Sequence, residues 1–263
     1  MKIAIAGKGG VGKTTLAGLL ARSYADDGYR VLAVDADPDA NLASSIGISS
    51  EQLEGIEPIS TMKKLAKERT GASEGYGSLF ILNPKVDDLP ERFCVHHKGV
   101  SLLLMGTVDQ GGSGCVCPEN TLVRNLMKHL LVGNDEVVIL DMEAGIEHLG
   151  RATAESVDVL IVVVEAGKRS LQTAAQIEKL ASDIGIRNIA YVASKVDGDA
   201  DREFIMSSVP ISRFLGMLSM HEQIRGADRQ GSSPYDAGGD ILVEVQSIRR
   251  SLNDLLGRKA SQH

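Results

Sequence analysis

Nine residues near the amino terminus, GKGGVGKTT from Gly7 to Thr15, carry the strongest chemical signal in the chain. Gly7, Gly12, Lys13 and Thr14 match the spacing G-x-x-x-x-G-K-[ST] of a phosphate-binding loop. Glycines let backbone N–H groups turn inward onto phosphate oxygens, and a helix opening at the same point adds the positive end of its dipole. The predicted phosphate cradle is therefore Gly7, Lys8, Gly9, Gly10, Val11, Gly12, Lys13, Thr14 and Thr15. In such a loop the motif lysine, Lys13, reaches the β- and γ-phosphates of a nucleoside triphosphate, and the hydroxyl of Thr14 ligates Mg²⁺. Lys8 is a second cation that a plain phosphate loop does not need. Either it is a solvated lysine, or it adds positive charge near the phosphates, donated across a dimer.

Carboxylates follow two later apolar runs. Asp35 and Asp37 come after residues 31–34 in VLAVDADPDAN, and with Asp39 and Asn41 they would line one edge. Phosphoryl transfer asks for an aligned water and neutralised charge more than for covalent help. The bland alternative is a polar loop with an aspartate capping a helix. Asp141 ends the run EVVIL, and an acidic residue just past a buried strand is the usual Mg²⁺-side partner. Glu143 and His148 follow in DMEAGIEHL; His148 reads equally as a surface residue.

The chain has three cysteines. Cys115 and Cys117 lie in GGSGCVCPEN, and on extended backbone residues i and i+2 point to one side. Two thiolates do not complete a tetrahedral site, but a symmetric dimer would supply two more on its two-fold axis. Four soft thiolates suit Ni²⁺ or Zn²⁺ rather than Mg²⁺. Against this stands a pair of loop thiols with no ligand. Cys94 reads as a small core residue. His96 and His97 read as a surface loop, with a metal-relay role as the alternative.

The segment GKGGVGKT resembles the deviant Walker A family of P-loop NTPases, which includes septum-positioning and plasmid-partitioning ATPases and the nitrogenase iron protein. The resemblance implies face-to-face dimers around two ATP molecules with Mg²⁺, in which Lys8 acts in trans on the partner's nucleotide. It makes Asp37 the residue that orients the attacking water. It makes the segment beginning at Asp141 the second switch, with Gly145 near the γ-phosphate. The family often carries Asn-Lys on the base side; here the chain reads Ser194-Lys195, and Ser194 cannot make the two-point contact of Asn to adenine. ATP remains the expected nucleotide.

One branch resembles the chain more fully, the nickel-insertion ATPases of carbon monoxide dehydrogenase maturation. The shared features are AGKGGVGKTT, VDADPD, LFILNPKVD, GGSGCVCPEN, DMEAGIEHL and IEKLASDIGI, which span most of residues 1–197. This branch implies an ATP-hydrolysing homodimer that holds Ni²⁺ or Zn²⁺ at Cys115 and Cys117 and serves the carbon monoxide dehydrogenase apo-enzyme as client. Two other readings stay open. An ATP-gated iron–sulfur reductase would need one cysteine from each of two separated loops, and C-x-C does not match that. A positioning or partitioning ATPase would bind membrane or DNA.

These residues must be held by a scaffold, and the apolar runs predict one. They occur at residues 2–6, 31–34, 79–82, 101–105, 136–140, 159–164, 189–193 and 214–218. Several are continuous rather than alternating, as in strands buried on both faces. Helical patterns lie between them at residues 14–26, 121–131 and 171–184. The alternation predicts an α/β, doubly wound, mostly parallel sheet with helices on both faces. Apolar residues at 241, 245, 248, 252 and 255 predict a last helix packed on the sheet rather than a membrane tail. No Pro/Ser-rich linker or repeat divides the chain, so residues 1–263 are expected to form one P-loop ATPase domain.

Composition narrows the partners. The chain has 28 basic and 35 acidic residues, a net charge of −7, and only 3% aromatics. That argues against nucleic acid or anionic lipid as the partner. No run approaches the length of a membrane span, the start MKIAIAGKGG shows no signal-peptide core, and the cysteine count is odd. The expected location is the cytoplasm.

Overall fold

Continuous β-branched and leucine-rich runs bury every residue on both faces, as VLIVVV (Val159–Val164) and VVILDM (Val137–Met142) do here. The structure is a computed structural model, and it describes residues 1–37, 41–72, 79–106, 117–133, 136–143, 146, 149 and 151–257. The strands are β1 (Lys2–Gly7), β2 (Val31–Ala36), β3 (Val95–His97), β4 (Val100–Leu104), β5 (Val137–Met142), β6 (Val159–Val164), β7 (Ile189–Val196) and β8 (Phe214–Ser219). They form one sheet in the order β3-β4-β2-β5-β1-β6-β7-β8. All neighbours are parallel except β3 with β4. The helices are α1 (Lys13–Asp26), α2 (Leu42–Ile46), α3 (Lys63–Thr70), α4 (Leu89–Phe93), α5 (Pro118–Gly133), α6 (Arg151–Ala154), α7 (Lys168–Ile184), α8 (Gly198–Met206), α9 (Glu222–Gln230) and α10 (Asp240–Leu255).

Alternation along each strand splits the core in two. Ile3, Ile5, Val31 and Ala33 face one way and pack with Leu16, Leu20 (α1), Ile46 (α2) and Ile248 (α10). Ala4, Ala6, Leu32 and Val34 face the other way and pack with Leu65 (α3), Leu126 (α5), Ile177 (α7) and Ile205 (α8). Each fully buried Val, Leu or Ile among them contributes roughly 1.5–3 kcal/mol. The doubly wound expectation is borne out. Strand β1 lies between β5 and β6, so the chain winds outward on both sides of it, and the crevice at its carboxyl end is where open α/β sheets bind ligands.

The terminal helix packs as its spacing predicts, burying Ile241, Val245, Ile248 and Leu252, while Leu255 is exposed. Arg249 adds a further clamp: its guanidinium lies 4.7 Å from the Tyr24 ring centroid, and it donates to Ser23 O and to Asp27.

Two expectations need correction. Residues 79–82 form no strand; Leu79 is 96% exposed, and the segment is tied down by Ile81 N–H to Thr70 O and Asn125 to Leu82 O. The sheet edge beyond β2 belongs instead to the β3–β4 hairpin, whose local antiparallel pairing needs no crossover. His96 and His97 therefore lie on an edge strand rather than in a loop. They face opposite ways: His96 is exposed and meets the Ser101 hydroxyl at 3.0 Å, while Nε2 of His97 is buried.

Candidate active site

The phosphate loop joins the carboxyl end of β1 to α1. Gly7 has φ +155, and a Cβ there would lie 2.6 Å from the Val163 carbonyl of β6. Only glycine lets the chain leave the sheet at this point. Gly12 begins α1 in the left-handed region (φ 101, ψ 23), and no side chain caps the helix. Its first-turn N–H groups are thus left for a ligand, and that turn contains no acidic residue to oppose an anion. Lys13 is 94% buried, being 6% exposed, and Thr14 and Thr15 line the adjoining cleft.

Strand β7 supports the loop from below. Ser194 is buried, and its Oγ lies 2.7 Å from where a Cβ on Gly12 would sit. Lys195 adopts a positive φ of 57, beside an irregularity in the β7–β8 pairing, and donates from Nζ to the Gly10 carbonyl at 2.5 Å. A lysine in that conformation is strained, and here the strain aims the ammonium group at the phosphate loop. Sequence reasoning put Ser194 and Lys195 on the base side; both line the cleft, but their contacts are with the loop.

Two fully buried aspartates sit side by side at the carboxyl ends of β2 and β5, where Asp35 and Asp141 are register partners. Asp35 accepts the N–H of Asp37 at 3.2 Å and the N–H of Leu42 at 2.9 Å. One carboxylate therefore pins both ends of the segment that carries Asp37. Burial pushes its pKa up to about 6, against those two hydrogen bonds. Asp37 itself is half-buried and lines the cleft; Asp39 lies outside the described residues.

Asp141 is pushed up further, to about 7, first by burial and also by the Asp35 charge, with Thr14 and Lys13 opposing the rise. Neither of its carboxylate oxygens makes a hydrogen bond of normal geometry. A desolvated carboxylate offset only by the nearby Thr14 hydroxyl and the Lys13 charge is a donor set of hard oxygens that fits Mg²⁺. Glu143 also lines the cleft, while Gly145 and His148 lie outside the described residues.

Lys8 points away from this arrangement. Its Nζ pairs with Glu165 Oε1 at 2.9 Å, just past β6. Nothing in the sequence pattern marked Glu165, because 157 residues separate the two.

Of the C-x-C pair, Cys115 lies outside the described residues. Cys117 precedes α5, and its Sγ accepts the Asn120 N–H at 3.4 Å while its carbonyl accepts the Thr121 N–H. Its sulfur thus caps the first turn of the helix. Among the described residues no group of three or more His, Cys, Asp or Glu gathers to hold a metal ion. Cys94 packs against the core, and burial pushes its thiol up to about 12.

The cleft beside the loop measures about 790 Å³, within the usual range for small-molecule sites. Its far end is lined by Ser219, Met220, His221, Ile224 and Arg225, none of which the sequence singled out. The signal available was positional: residue 219 ends a parallel strand beside β7, and such ends carry function.

The family of CobQ/CobB/MinD/ParA nucleotide-binding domains matches residues 2–234. The chain belongs to this family. It is a MinD/ParA-type P-loop ATPase, and its resemblance to the branch serving carbon monoxide dehydrogenase maturation is borne out over 98% of the chain. The carbon monoxide dehydrogenase accessory protein CooC of Rhodospirillum rubrum is 57% identical over 257 residues, covering 98% of each chain. An uncharacterized ATP-binding protein of Methanocaldococcus jannaschii is 48% identical, covering 94% of this chain and 96% of that one. Among solved structures, MinD in the MinC:MinD cell division complex of Aquifex aeolicus superimposes with a TM-score of 0.66 at 19% identity. That match covers 99% of this chain and 97% of the other, and it bears on the fold of a MinD/ParA-type ATPase alone. Among the described residues of this ATPase no helix is long and apolar enough to cross a membrane.

Proposed function

We propose that this chain is an ATP-hydrolysing metallochaperone for nickel. It closes as a homodimer on nucleotide, carries Ni²⁺ or Zn²⁺ as cargo between paired cysteines, and helps load nickel into carbon monoxide dehydrogenase in the cytoplasm. The observation that carries the reading is the full-length 57% identity to CooC, together with C-x-C at Cys115 and Cys117. Residues 1–263 act as one ATPase domain, with neither nucleic acid nor membrane as partner.

Residues of the site take these roles. Main-chain N–H groups from Gly7 to Thr15 hold the phosphates, and Lys13 neutralises charge on the β- and γ-phosphates. Asp37, held by Asp35, orients the attacking water. Thr14 and Asp141 would hold Mg²⁺, which when bound screens the phosphate charge. Lys8 leaves Glu165 and enters the partner's site on closure. Ser194 and Lys195 brace the phosphate loop against β7. Cys117 presents its sulfur at the start of α5, and Cys115 joins it toward the two-fold axis. Half-buried Cys94, packed against the core with its thiol pushed up to about 12, makes a poor cluster ligand, which counts against the iron–sulfur reductase reading.

The test is anaerobic metal analysis of the nucleotide-free, ADP and ATP-analogue states. One Ni²⁺ or Zn²⁺ per dimer, changing with nucleotide, is the expected result. Nickel binding by a Cys115→Ser/Cys117→Ser protein equal to wild type would overturn the metal role.

A further inference from the structure

The cleft has a phosphate end and an opposite end, and the second is organised by one side chain from the terminal helix. Glu244 of α10 accepts three contacts there. Ser219 N–H reaches it at 3.1 Å, the Ser219 hydroxyl at 2.6 Å, and His221 Nε2 at 2.9 Å. The His221 and Glu244 side chains are only 14% and 20% exposed, so the pair is well shielded. Ser219 sits in register with Val196, which places this group directly beside the Ser194-Lys195 end of β7.

Base recognition must come from somewhere other than Ser194, whose hydroxyl is tucked under Gly12. Lys195 is committed to the Gly10 carbonyl. Across the cleft lie Ser219, Met220, His221, Ile224 and Arg225, and of these His221 is the side chain whose ring nitrogen can be fixed as an acceptor by a neighbouring carboxylate. A carboxylate only accepts hydrogen bonds, so a neutral His221 must carry its proton on Nε2 to meet Glu244. Its Nδ1 is then an acceptor. Adenine offers an amino donor at position 6, where guanine and hypoxanthine offer a carbonyl acceptor.

We propose that His221 Nδ1, kept as an acceptor by the Glu244 carboxylate, reads the 6-amino group of adenine. His221 is then a specificity-determining residue, and Glu244 is the residue that positions it. The proposal rests on the cleft being the ATP site.

Isothermal titration calorimetry of the full chain with MgADP, MgIDP and magnesium pyrophosphate tests it. IDP differs at position 6 and at the adjoining ring nitrogen, and pyrophosphate reports the phosphate end alone. Wild type should bind ADP about tenfold more tightly than IDP, because the carbonyl meets an acceptor. His221→Phe and His221→Ala should each bring that ratio close to one. Glu244→Gln presents an amide that can donate to Nε2 and move the ring proton to Nδ1, so its ratio should fall or invert; loss of packing alone would not invert it. An ADP-to-IDP ratio near one in wild type, or an unchanged ratio in whichever His221 variant folds, overturns the proposal. Wild type binding pyrophosphate but neither nucleotide would overturn the ATP reading of the cleft itself, a result distinct from lost discrimination.

Discussion

Lys8 Nζ lies 2.9 Å from Glu165 Oε1 within a single chain. In the proposed dimer Lys8 acts on the partner's nucleotide and would first have to leave this carboxylate, so the ion pair is expected to oppose closure. Both groups are partly exposed, at 38% and 26%, and such pairs are worth only about 0.2–1 kcal/mol. Glu165→Gln should therefore tighten ATP-dependent dimerisation by about two- to fivefold. Sedimentation velocity across a concentration series with an ATP analogue reads this directly. An unchanged midpoint would show that the pair does not resist closure.

Asp141 is buried at a cost to stability near neutral pH. Its folded-state pKa of about 7 lies above the ordinary value of 3.8, so the folded form prefers the proton. The stability this group lends is present at pH below about 4 and is lost as pH rises to about 7. Asp141→Asn should melt higher than wild type without Mg²⁺ at pH 8, by roughly 1–3 kcal/mol, with the gap closing toward pH 4. Mg²⁺-dependent ATP hydrolysis should meanwhile fall about a hundredfold or more. Calorimetric melts over a pH series decide it; a variant less stable than wild type at pH 8 would mean the carboxylate is well paired inside the protein.

Gly12 combines a positive φ of 101 with a Cβ position 2.7 Å from Ser194 Oγ. Gly12→Ala should cost about 1–3 kcal/mol of stability and most of the ATP affinity. Adding Ser194→Gly removes the clash but not the backbone strain, so the double variant should recover only part of the melting temperature. Full recovery would place the whole cost in the clash.

Cys117 caps α5 and is the proposed metal ligand, and two substitutions separate these roles. Serine is a good N-cap, so Cys117→Ser should keep the melt within about 0.5 kcal/mol of wild type while losing the metal. Cys117→Ala should lose the metal and about 1 kcal/mol as well. Metal content and thermal melts of the two proteins report this. Nickel retained by the serine variant would remove Cys117 from the ligand set.

Local pattern alone determined a good deal about this protein. The phosphate loop was legible because its chemistry demands glycines, a lysine and a threonine at fixed short spacing, and β1 and α1 follow from runs that flank it. The doubly wound sheet was legible because strands buried on both faces read as unbroken apolar runs. Residues 79–82 show the limit: LFIL has a strand's composition, yet a strand also needs a neighbour with free backbone groups, and the β3–β4 hairpin holds that edge. Only tertiary structure set Asp35 beside Asp141, Lys8 on Glu165, Lys195 on Gly10 and Glu244 on His221. Each pair is made by residues on separate elements meeting where parallel strands end, and no spacing rule along the chain encodes which strands lie side by side.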